Sequence, residues 1–437
     1  MNSRRILIVG GGPAGVRAAV GAAERLRSAR ARHRAVELVN PDPWLVLRPR
    51  LYESDLSGVR VPLDAVLGPI GVVHRRGTVT EIDAAGRTVR LDDDTTLAYD
   101  QLVLAAGSTL PLPDGAPVLA VDTYAQAQAL HRRLAGLRDR PGAKFSAVVV
   151  GGGFTGVEIA AELAGMLKRA ARSAGRRARG PITLIERGPN PAPDFGPRAR
   201  SVIERSLRSL GVEVKTGTAV VGVHAAGVVL ADGSEVEGEL VVWSTGPRAS
   251  RLTGQVPARR DPLGRVVVDR HLASGVEGIW VAGDSACASV DGRHTALMSC
   301  QHAMAQGRLA GQNAAAVSLG EPPRPYRQPL YLTCLDLGGA GALLTCGFDR
   351  DTVLATGAEA KRFKRHINRC LIYPPANATA EELLKLGKPE PSGPVVAALT
   401  RLALRSRRVR RRASAGEDRA ALFAAATDDG LALKAAA

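Results

Sequence analysis

The sequence predicts an α/β protein, and two glycine-rich segments are the main observations behind that prediction. The first segment, ILIVGGGPAG, spans residues 6–15, and the second, AVVVGGGFTGVEIAAEL, spans residues 147–163. In each, a β-branched strand runs into Gly-x-Gly-x-x-Gly and then into a helix rich in small residues. This strand–turn–helix pattern is the dinucleotide-binding fingerprint of the Rossmann fold. We therefore predict two Rossmann-like dinucleotide-binding domains, followed by a small C-terminal α+β module.

The glycines of these two loops have a direct role in holding a nucleotide. They let the chain turn sharply, let backbone N–H groups approach a pyrophosphate and let the helix pack closely on its strand, while the helix N-terminus attracts negative charge. Two such loops about a domain's length apart indicate one enzyme that holds two dinucleotides, which is typical of hydride transfer from a nicotinamide to a flavin. The predicted binding residues are Gly10, Gly12, Pro13, Ala14 and Gly15 in the first loop and Gly151, Gly153 and Gly156 in the second.

The length and composition of the chain indicate several domains. A chain of 437 residues, 45% of them hydrophobic, is able to bury two or three separate cores. After residue 325 aromatic residues become dense, and PLYLTCLDLGGAGALLTCGFD predicts two strands around a glycine turn. The predicted division is a first dinucleotide-binding domain over residues 1–115 and 262–325, a second over 116–261, a C-terminal interface module over 326–390 and a basic amphipathic tail over 391–437.

The charge of the chain is strongly basic and unevenly placed. The net charge is +17, and residues 361–412 contain 14 lysines and arginines against 3 glutamates. Such a patch favours phosphate-rich partners, either anionic lipid or nucleic acid, although basic residues on solvated faces are the plainer interpretation. Val395, Leu399 and Leu402 lie at helical spacing beside arginines, which predicts reversible contact with an anionic membrane surface.

The start of the chain, its apolar runs and its cysteines bear on the cellular location of the protein. The sequence reaches its first strand almost at once, so we expect no signal peptide. No apolar run approaches the roughly eighteen residues of a spanning helix. An odd number of cysteines without Cys-x-x-Cys spacing argues against a disulfide framework and a metal site. We predict a cytoplasmic protein without metal, at most peripheral at the inner face of the cell membrane.

With these motifs in place, the chain resembles the FAD-dependent pyridine nucleotide-disulfide oxidoreductases, and most closely their type II NADH dehydrogenase branch. The resemblance covers residues 4 to about 320 well. Besides the two glycine loops, it rests on Arg48-Pro49-x-Leu51-Tyr52, LVLAAGS, LVVWSTG and WVAGDSA followed by a glutamine-containing helix.

The resemblance implies that the first loop binds the diphosphate of FAD. Asp284, next to Gly283, should then bond the ribityl chain, because a carboxylate accepts hydroxyl protons. Asn40 ends the second strand, where the family usually has an acid, so the contact with the adenosine ribose is altered. The other residues assigned to FAD by the resemblance are Arg48, Ala106 and Gly107.

For the second loop the resemblance implies NADH, with Gly246 of LVVWSTG at the same site. Glu186 ends the strand here, and its carboxylate favours NADH over NADPH because it repels a 2′-phosphate. The neighbouring Arg187 works against that preference, so NADPH stays open. Glu158 matches a family glutamate beside the nicotinamide and flavin, where it would orient the nicotinamide or relay a proton. The alternative is an ordinary first-turn glutamate that complements the helix dipole.

A helix predicted to begin near Leu297 should point its positive end at the flavin and stabilise the reduced anion. The family often has Ala-Gln there, in contact with quinone and flavin, and this chain has Cys300-Gln301. No cysteine occurs before Cys287, so the redox-active cysteines of disulfide reductases are missing. Electrons must therefore leave the flavin directly, to a quinone, a dye-like acceptor, oxygen or a protein.

Three functions follow from these features. The first is an FAD enzyme that takes a hydride from NADH at flavin N5 and passes electrons to a quinone, docked on an anionic membrane by its basic tail. The second is a soluble NAD(P)H oxidoreductase with another acceptor. The third resembles apoptosis-inducing factor, a NADH-responsive flavoprotein that binds a partner or nucleic acid. We favour the first, regard nucleic acid as the weaker partner, and leave a homodimer open.

Overall fold

The computed structural model describes residues 5–31, 34–372, 374 and 377–388. The predicted basic tail, residues 391–437, lies outside these described residues, and so do Val395, Leu399 and Leu402. Among the helices of the described part, none is long and apolar enough to cross a membrane.

The first third of the chain builds most of the first nucleotide-binding unit. Its strands are β1 (Arg5–Val9), β2 (Ala35–Asn40), β3 (Trp44–Val46), β4 (Arg60–Pro62), β5 (Val73–Arg76), β6 (Val79–Asp83), β7 (Thr88–Leu91), β8 (Thr96–Ala98), β9 (Gln101–Leu104) and β10 (Ser108–Thr109). Its helices are α1 (Pro13–Ser28) and α2 (Leu63–Leu67). A proline at the first position of α1 suits that helix start, because its ring fixes φ and the missing N–H has no helical partner.

The second unit repeats the same strand–loop–helix plan. Its strands are β11 (Ala147–Val150), β12 (Ile182–Glu186), β13 (Val212–Thr216), β14 (Val220–His224), β15 (Gly227–Leu230), β16 (Glu235–Glu237), β17 (Leu240–Trp243) and β18 (Arg248–Ala249). Its helices are α3 (Tyr124–Asp139), α4 (Phe154–Ser173) and α5 (Pro197–Leu210). A capping box closes the N-terminus of α3, where Thr123 and Gln126 bond each other's backbone N–H.

The remainder returns to the first unit and then forms the C-terminal module. Its strands are β19 (Val266–Val267), β20 (Ile279–Val281), β21 (Ala286–Cys287), β22 (Leu332–Asp336), β23 (Ala342–Cys346) and β24 (Thr352–Thr356). Its helices are α6 (Cys300–Ser318), α7 (Gly357–His366) and α8 (Ala380–Lys385), and a π-helical turn, Ile367–Leu371, continues α7.

Two parallel sheets carry the architecture. The first has the order β20-β9-β1-β2-β5 and the second the order β13-β12-β11-β17. Because β20 follows the second unit in sequence but pairs with β9, the first sheet is assembled from both sides of that unit. The C-terminal module is an antiparallel sheet of β22, β23 and β24 with α7 packed against it. The predicted α/β class is confirmed, but the C-terminal sheet has a third strand where the sequence predicts two.

Helix α6 packs on α1 almost backbone to backbone. A Cβ added to Gly307 would lie 2.0 Å from the Ala14 carbonyl oxygen, and one added to Gly311 would lie 2.0 Å from that of Ala18. Helix α6 begins at Cys300 rather than near Leu297, because the Ser299 side chain accepts the His302 N–H and caps it there. The close packing of α6 on α1 brings the N-terminus of α6 to the first glycine loop.

Candidate active site at the two glycine loops

Both glycine loops line one cavity with a volume of about 1430 Å³. Ligand pockets commonly measure about 300–1,000 Å³, so this cavity has room for more than one small ligand. Most of the predicted site residues lie in its wall: Gly12, Pro13, Ala14, Asn40, Arg48, Ala106, Gly107, Gly151, Gly153, Glu158, Glu186, Gly246, Asp284 and Gln301. The structure thus brings together residues that the chain separates by up to 289 positions, from Gly12 to Gln301.

The glycines of the first loop fall into two groups. Gly10 has a left-handed φ of 110°, and an added Cβ would lie 2.3 Å from the Ala105 carbonyl oxygen. At Gly15 the added Cβ would lie 1.7 Å from the Gly10 oxygen. Gly12, by contrast, has an ordinary φ of −77° and nothing within 4 Å of an added Cβ. The chain itself therefore requires Gly10 and Gly15, while the open space beside Gly12 suits the close approach of a ligand's phosphates.

The second loop repeats this division. A Cβ on Gly151 would lie 2.3 Å from the Ser244 carbonyl oxygen, and one on Gly156 would lie 1.8 Å from the Gly151 oxygen. The middle glycine, Gly153, meets only the Asp194 carboxylate, at 3.9 Å. Both loops therefore fit a pyrophosphate at the same relative position.

The strand-end residues Asn40 and Glu186 hold the loops in the same way. Asn40 Oδ1 accepts the Gly11 N–H at 2.8 Å, and Glu186 Oε2 accepts the Gly152 N–H at 2.8 Å. The second oxygen of Glu186 accepts the Gly188 N–H at 2.7 Å. A carboxylate has about four acceptor positions, so Glu186 keeps acceptor capacity for a ribose hydroxyl.

A polar cluster lies around Asp284 on the side of the first loop. Asp284 Oδ2 accepts the Ser108 hydroxyl at 2.7 Å, and Arg48 Nη1 donates to the same hydroxyl oxygen at 2.7 Å. Arg48 also forms an ion pair with Asp122. Gly283, directly before Asp284, is left-handed at φ 70° and lets its N–H donate to Gln306 Oε1 at 2.8 Å. Hydroxyl and carboxylate oxygens in the cavity wall suit the ribityl hydroxyls of FAD.

Glu158 lies in a buried ion pair rather than at a solvated helix start. Its side chain is 3% exposed, and Oε1 accepts from Lys364 Nζ at 2.8 Å and from the Asp336 N–H at 2.9 Å. Burial raises the pKa of Glu158 to about 7, against the opposing effect of the Lys364 ammonium. Burial alone would lower the pKa of Lys364, but several neighbours together, led by the Glu158 carboxylate and including Asp336, outweigh burial and raise that pKa.

This ion pair belongs to a network that joins all three parts of the protein. Asp336 accepts the Tyr52 hydroxyl at 3.0 Å and forms an ion pair with Lys361. Burial raises the pKa of Tyr52 well above its usual value, so the phenol stays a donor. Counting Lys361 and Lys364 toward a basic surface patch is therefore wrong, because both pair with acids in the interior.

Comparison with known proteins agrees with this arrangement. The chain matches the family described as pyridine nucleotide-disulphide oxidoreductase over residues 4–307. The chain belongs to this family. A NADH dehydrogenase-like protein of Mycobacterium tuberculosis is 43% identical over 396 residues, which cover 88% of this chain and 98% of that protein. The protein is thus an oxidoreductase whose cofactors are FAD and a pyridine nucleotide, and the predicted resemblance is confirmed.

Two further similarities extend the family comparison. The demethylphylloquinone reductase of Synechocystis is 29% identical over 330 residues, covering 71% of this chain and 79% of that protein. The solved structure of NDH2 from Plasmodium falciparum in complex with NADH superposes with a TM-score of 0.69 at 13% identity, covering 88% of this chain and 98% of that one. At this identity the structural likeness establishes the fold.

In this oxidoreductase the N-terminus of α6 contributes Gln301 and Cys300 to the cavity. Burial raises the pKa of the Cys300 thiol to about 11 and that of Cys334 to about 12. Both thiols are therefore neutral near pH 7 and are poor nucleophiles. Lys364, Asp336 and Ser108 were not predicted as site residues from the sequence. Only Ser108 had a signal, since it ends the LVLAAGS segment.

Proposed function

We propose that this protein oxidises NADH through FAD and passes the electrons to a quinone. The main support for this proposal is a cluster of apolar side chains, which line the same cavity as the two glycine loops. This cluster comes from α6 and the C-terminal module and consists of Met304, Leu332, Leu344, Phe363, Ile367, Leu371 and Ile372. An apolar lining beside two nucleotide loops suits a quinone ring and its hydrophobic chain.

When bound, FAD accepts the hydride of NADH and passes on its electrons. The first loop, with Asn40, Arg48 and Asp284, holds FAD in this proposal. The second loop, with Glu186 and Gly246, holds NADH. Gln301 and the positive end of α6 stabilise negative charge that develops beside them.

In the same proposal Glu158 orients the nicotinamide or relays a proton. A carboxyl group whose pKa is near 7 is suited to both accepting and releasing a proton at neutral pH. Its hydrogen bond to Lys364 fixes the carboxyl in the cavity wall. The relatives named above support the donor and the acceptor class, since one is NADH dehydrogenase-like and the other reduces a quinone.

An anaerobic stopped-flow experiment tests this function. We expect the purified protein to carry non-covalent FAD, to be reduced by NADH, and to be reoxidised rapidly by quinones. The comparison panel contains a dye, oxygen and an oxidised protein acceptor such as oxidised ferredoxin. Reoxidation by a soluble acceptor that outpaces every quinone would contradict the quinone assignment and favour the soluble oxidoreductase.

We also propose the domain division predicted above, with residues 1–115 and 262–325 forming the FAD-binding domain and residues 116–261 the NADH-binding domain. The pairing of β20 with β9 supports this, because it places a returning segment in the first sheet. The test is to express residues 116–261 alone. We expect this segment to fold and to bind ADP-ribose.

Peripheral membrane contact through residues 391–437 is proposed on the sequence alone. Each arginine near an anionic bilayer contributes about 1 kcal/mol. Truncation after Pro394 should abolish binding to anionic liposomes and preserve oxidation of NADH by a water-soluble quinone. Equal liposome binding by the full and truncated chains would contradict the proposal.

A further inference from the structure

Arg350 belongs to the C-terminal module, but its side chain lies against the second nucleotide loop. It sits in the turn between β23 and β24, and its side chain is 9% exposed. Its guanidinium carbon is 5.9 Å from the ring centroid of Phe154 and 5.3 Å from that of Phe195. Phe154 is the first residue of α4, directly after Gly153. Arg350 and the second glycine loop line the same cavity.

The turn that carries Arg350 is fixed to the second unit on both sides. Before it, the Asp349 carbonyl oxygen accepts the Gly196 N–H at 2.9 Å. After it, Asp351 Oδ1 accepts the Arg198 N–H at 2.7 Å in the first turn of α5. Arg350 itself has a left-handed φ of 50°, which is uncommon for a residue with a side chain. These contacts hold the turn in place although the backbone conformation of Arg350 is unfavourable.

The guanidinium is incompletely paired. Within the described part of the chain, neither Nε nor Nη1 donates a hydrogen bond, and both are buried. The nearest acid is Asp194, whose Oδ2 lies 3.4 Å from Nη1 and whose side chain is 53% exposed. The same Oδ2 is 3.9 Å from the position of a Cβ on Gly153. A buried cation with free donors and a solvated carboxylate thus lie beside the glycine where phosphates approach.

We propose that Arg350 binds the pyrophosphate of the pyridine nucleotide, and that Asp194 is the anion it faces when the nucleotide is absent. The loop from Gly151 to Thr155 contains no cation of its own. An arginine offers several N–H donors in one plane and suits phosphate oxygens. The N-terminus of α4, which begins directly after Gly153, also favours negative charge at this point. The inference rests on the assignment of the second loop to NADH but does not depend on the electron acceptor.

Binding of ADP-ribose to the FAD-loaded protein tests the inference without turnover. ADP-ribose has the adenosine and pyrophosphate of NADH and lacks the nicotinamide. Arg350→Gln should weaken ADP-ribose binding about ten- to a hundred-fold, the scale of losing a charge-assisted hydrogen bond, and leave adenosine binding unchanged. Asp194→Asn should tighten ADP-ribose binding several-fold, because a like charge beside the phosphates is removed. Arg198→Gln, at an exposed position in the first turn of α5 that contacts the turn of Arg350, is the matched control and should change nothing.

The outcomes separate this inference from the proposed function. If Gly153→Val leaves ADP-ribose affinity unchanged, the second loop is not the nucleotide site and both proposals fail. If Gly153→Val abolishes binding but Arg350→Gln and Asp194→Asn bind like wild type, only the role of Arg350 is overturned. If Arg350→Gln unfolds or weakens adenosine and ADP-ribose equally, Asp194→Asn decides, and an unchanged affinity in that variant overturns the inference.

Discussion

The first and second glycine loops have nearly the same backbone but different surroundings. Helix α1 is covered by α6, whose Gly307 and Gly311 approach the backbone of α1 closely. Helix α4 is covered by the C-terminal module, through the backbone approach of Gly338 to Ala161 and through the buried pair of Glu158 and Lys364. The same fingerprint therefore occurs beside two different contacts: a close approach of backbones at the first loop and a buried, titratable ion pair at the second.

The strand-end residues differ in a way that the local hydrogen bonds explain. Asn40 Nδ2 donates to the Asp42 carbonyl oxygen at 2.7 Å, which a carboxylate has no proton to do. At Glu186 the second oxygen instead accepts the Gly188 N–H, so a carboxylate is suited there. The amide at position 40 follows from the turn that comes after it, while the acid at position 186 places a carboxylate beside the second glycine loop.

The largest effects should come from the two middle glycines. Gly12→Val should abolish FAD binding, and Gly153→Val should abolish NADH binding while FAD stays bound. Both positions have an ordinary φ and open space around an added Cβ, so the fold should persist. Flavin absorbance measures FAD binding, and titration with NADH measures binding of the pyridine nucleotide. Gly136→Ala, at an exposed position of α3, is the control. Loss of both ligands in either variant would remove the distinction between the loops.

Glu158→Gln should slow turnover about ten- to a hundred-fold, the scale of losing a positioned proton-transfer group, and leave FAD bound. Glu162→Gln, one turn further along α4, is the matched control, since it pairs with Arg169 away from Lys364. Steady-state NADH oxidation with a saturating quinone measures the effect. An unchanged rate would leave Glu158 with a structural role alone, as the buried partner of Lys364.

Glu186→Ala should narrow the preference for NADH over NADPH about ten-fold, because a 2′-phosphate no longer meets a carboxylate. Asn40→Ala provides the comparison in the first loop and should leave the ratio unchanged while it weakens FAD. The measurement is the ratio of kcat/KM for the two donors. A wild-type protein that prefers NADPH would mean that Arg187 determines the choice.

The features that could be predicted from the sequence are those encoded in short stretches of the chain. The glycine loops, the strand-end residues Asn40 and Glu186, and the Asp284 segment each stand at the end of a strand that a short apolar run predicts. The hydrogen bonds of Asn40 and Glu186 to the glycine loops, and of Asp284 to Ser108, however, span 29 or more positions. The start of α6 was placed three residues early because the cap at Ser299 lacks the glutamate or glutamine of a capping box.

What was not predictable depends on contacts between distant segments. Glu158 and Lys364 are 206 positions apart, and Asp336 is 178 positions from Glu158. In the sequence, Lys364 belongs to KRFKRH and has the appearance of a solvated basic run. Only the packing of α7 against the C-terminal sheet turns that lysine inward. Charge counting therefore overestimates the basic surface of this module.

The last expected effect is on folding stability and not on activity, and it is a pH-dependent difference that belongs to the second loop alone. Glu158 has a pKa of about 7 in the folded protein, above the value of about 4.3 for an unfolded glutamate. Such a group contributes stability below the unfolded pKa, and this contribution is lost as the pH rises through the folded pKa. Wild type should therefore lose stability relative to Glu158→Gln between about pH 4.3 and pH 7, by no more than about 4 kcal/mol. The raised pKa of Lys364 keeps that ammonium charged throughout this window, so Lys364 adds no pH dependence of stability of its own.

Denaturant titrations of wild type and Glu158→Gln across this pH range, with Glu162→Gln as control, measure the difference in stability. A difference that moves the other way would mean that Lys364 lowers the pKa of Glu158 below its usual value, and that the carboxylate is a fixed counter-ion instead of a proton carrier.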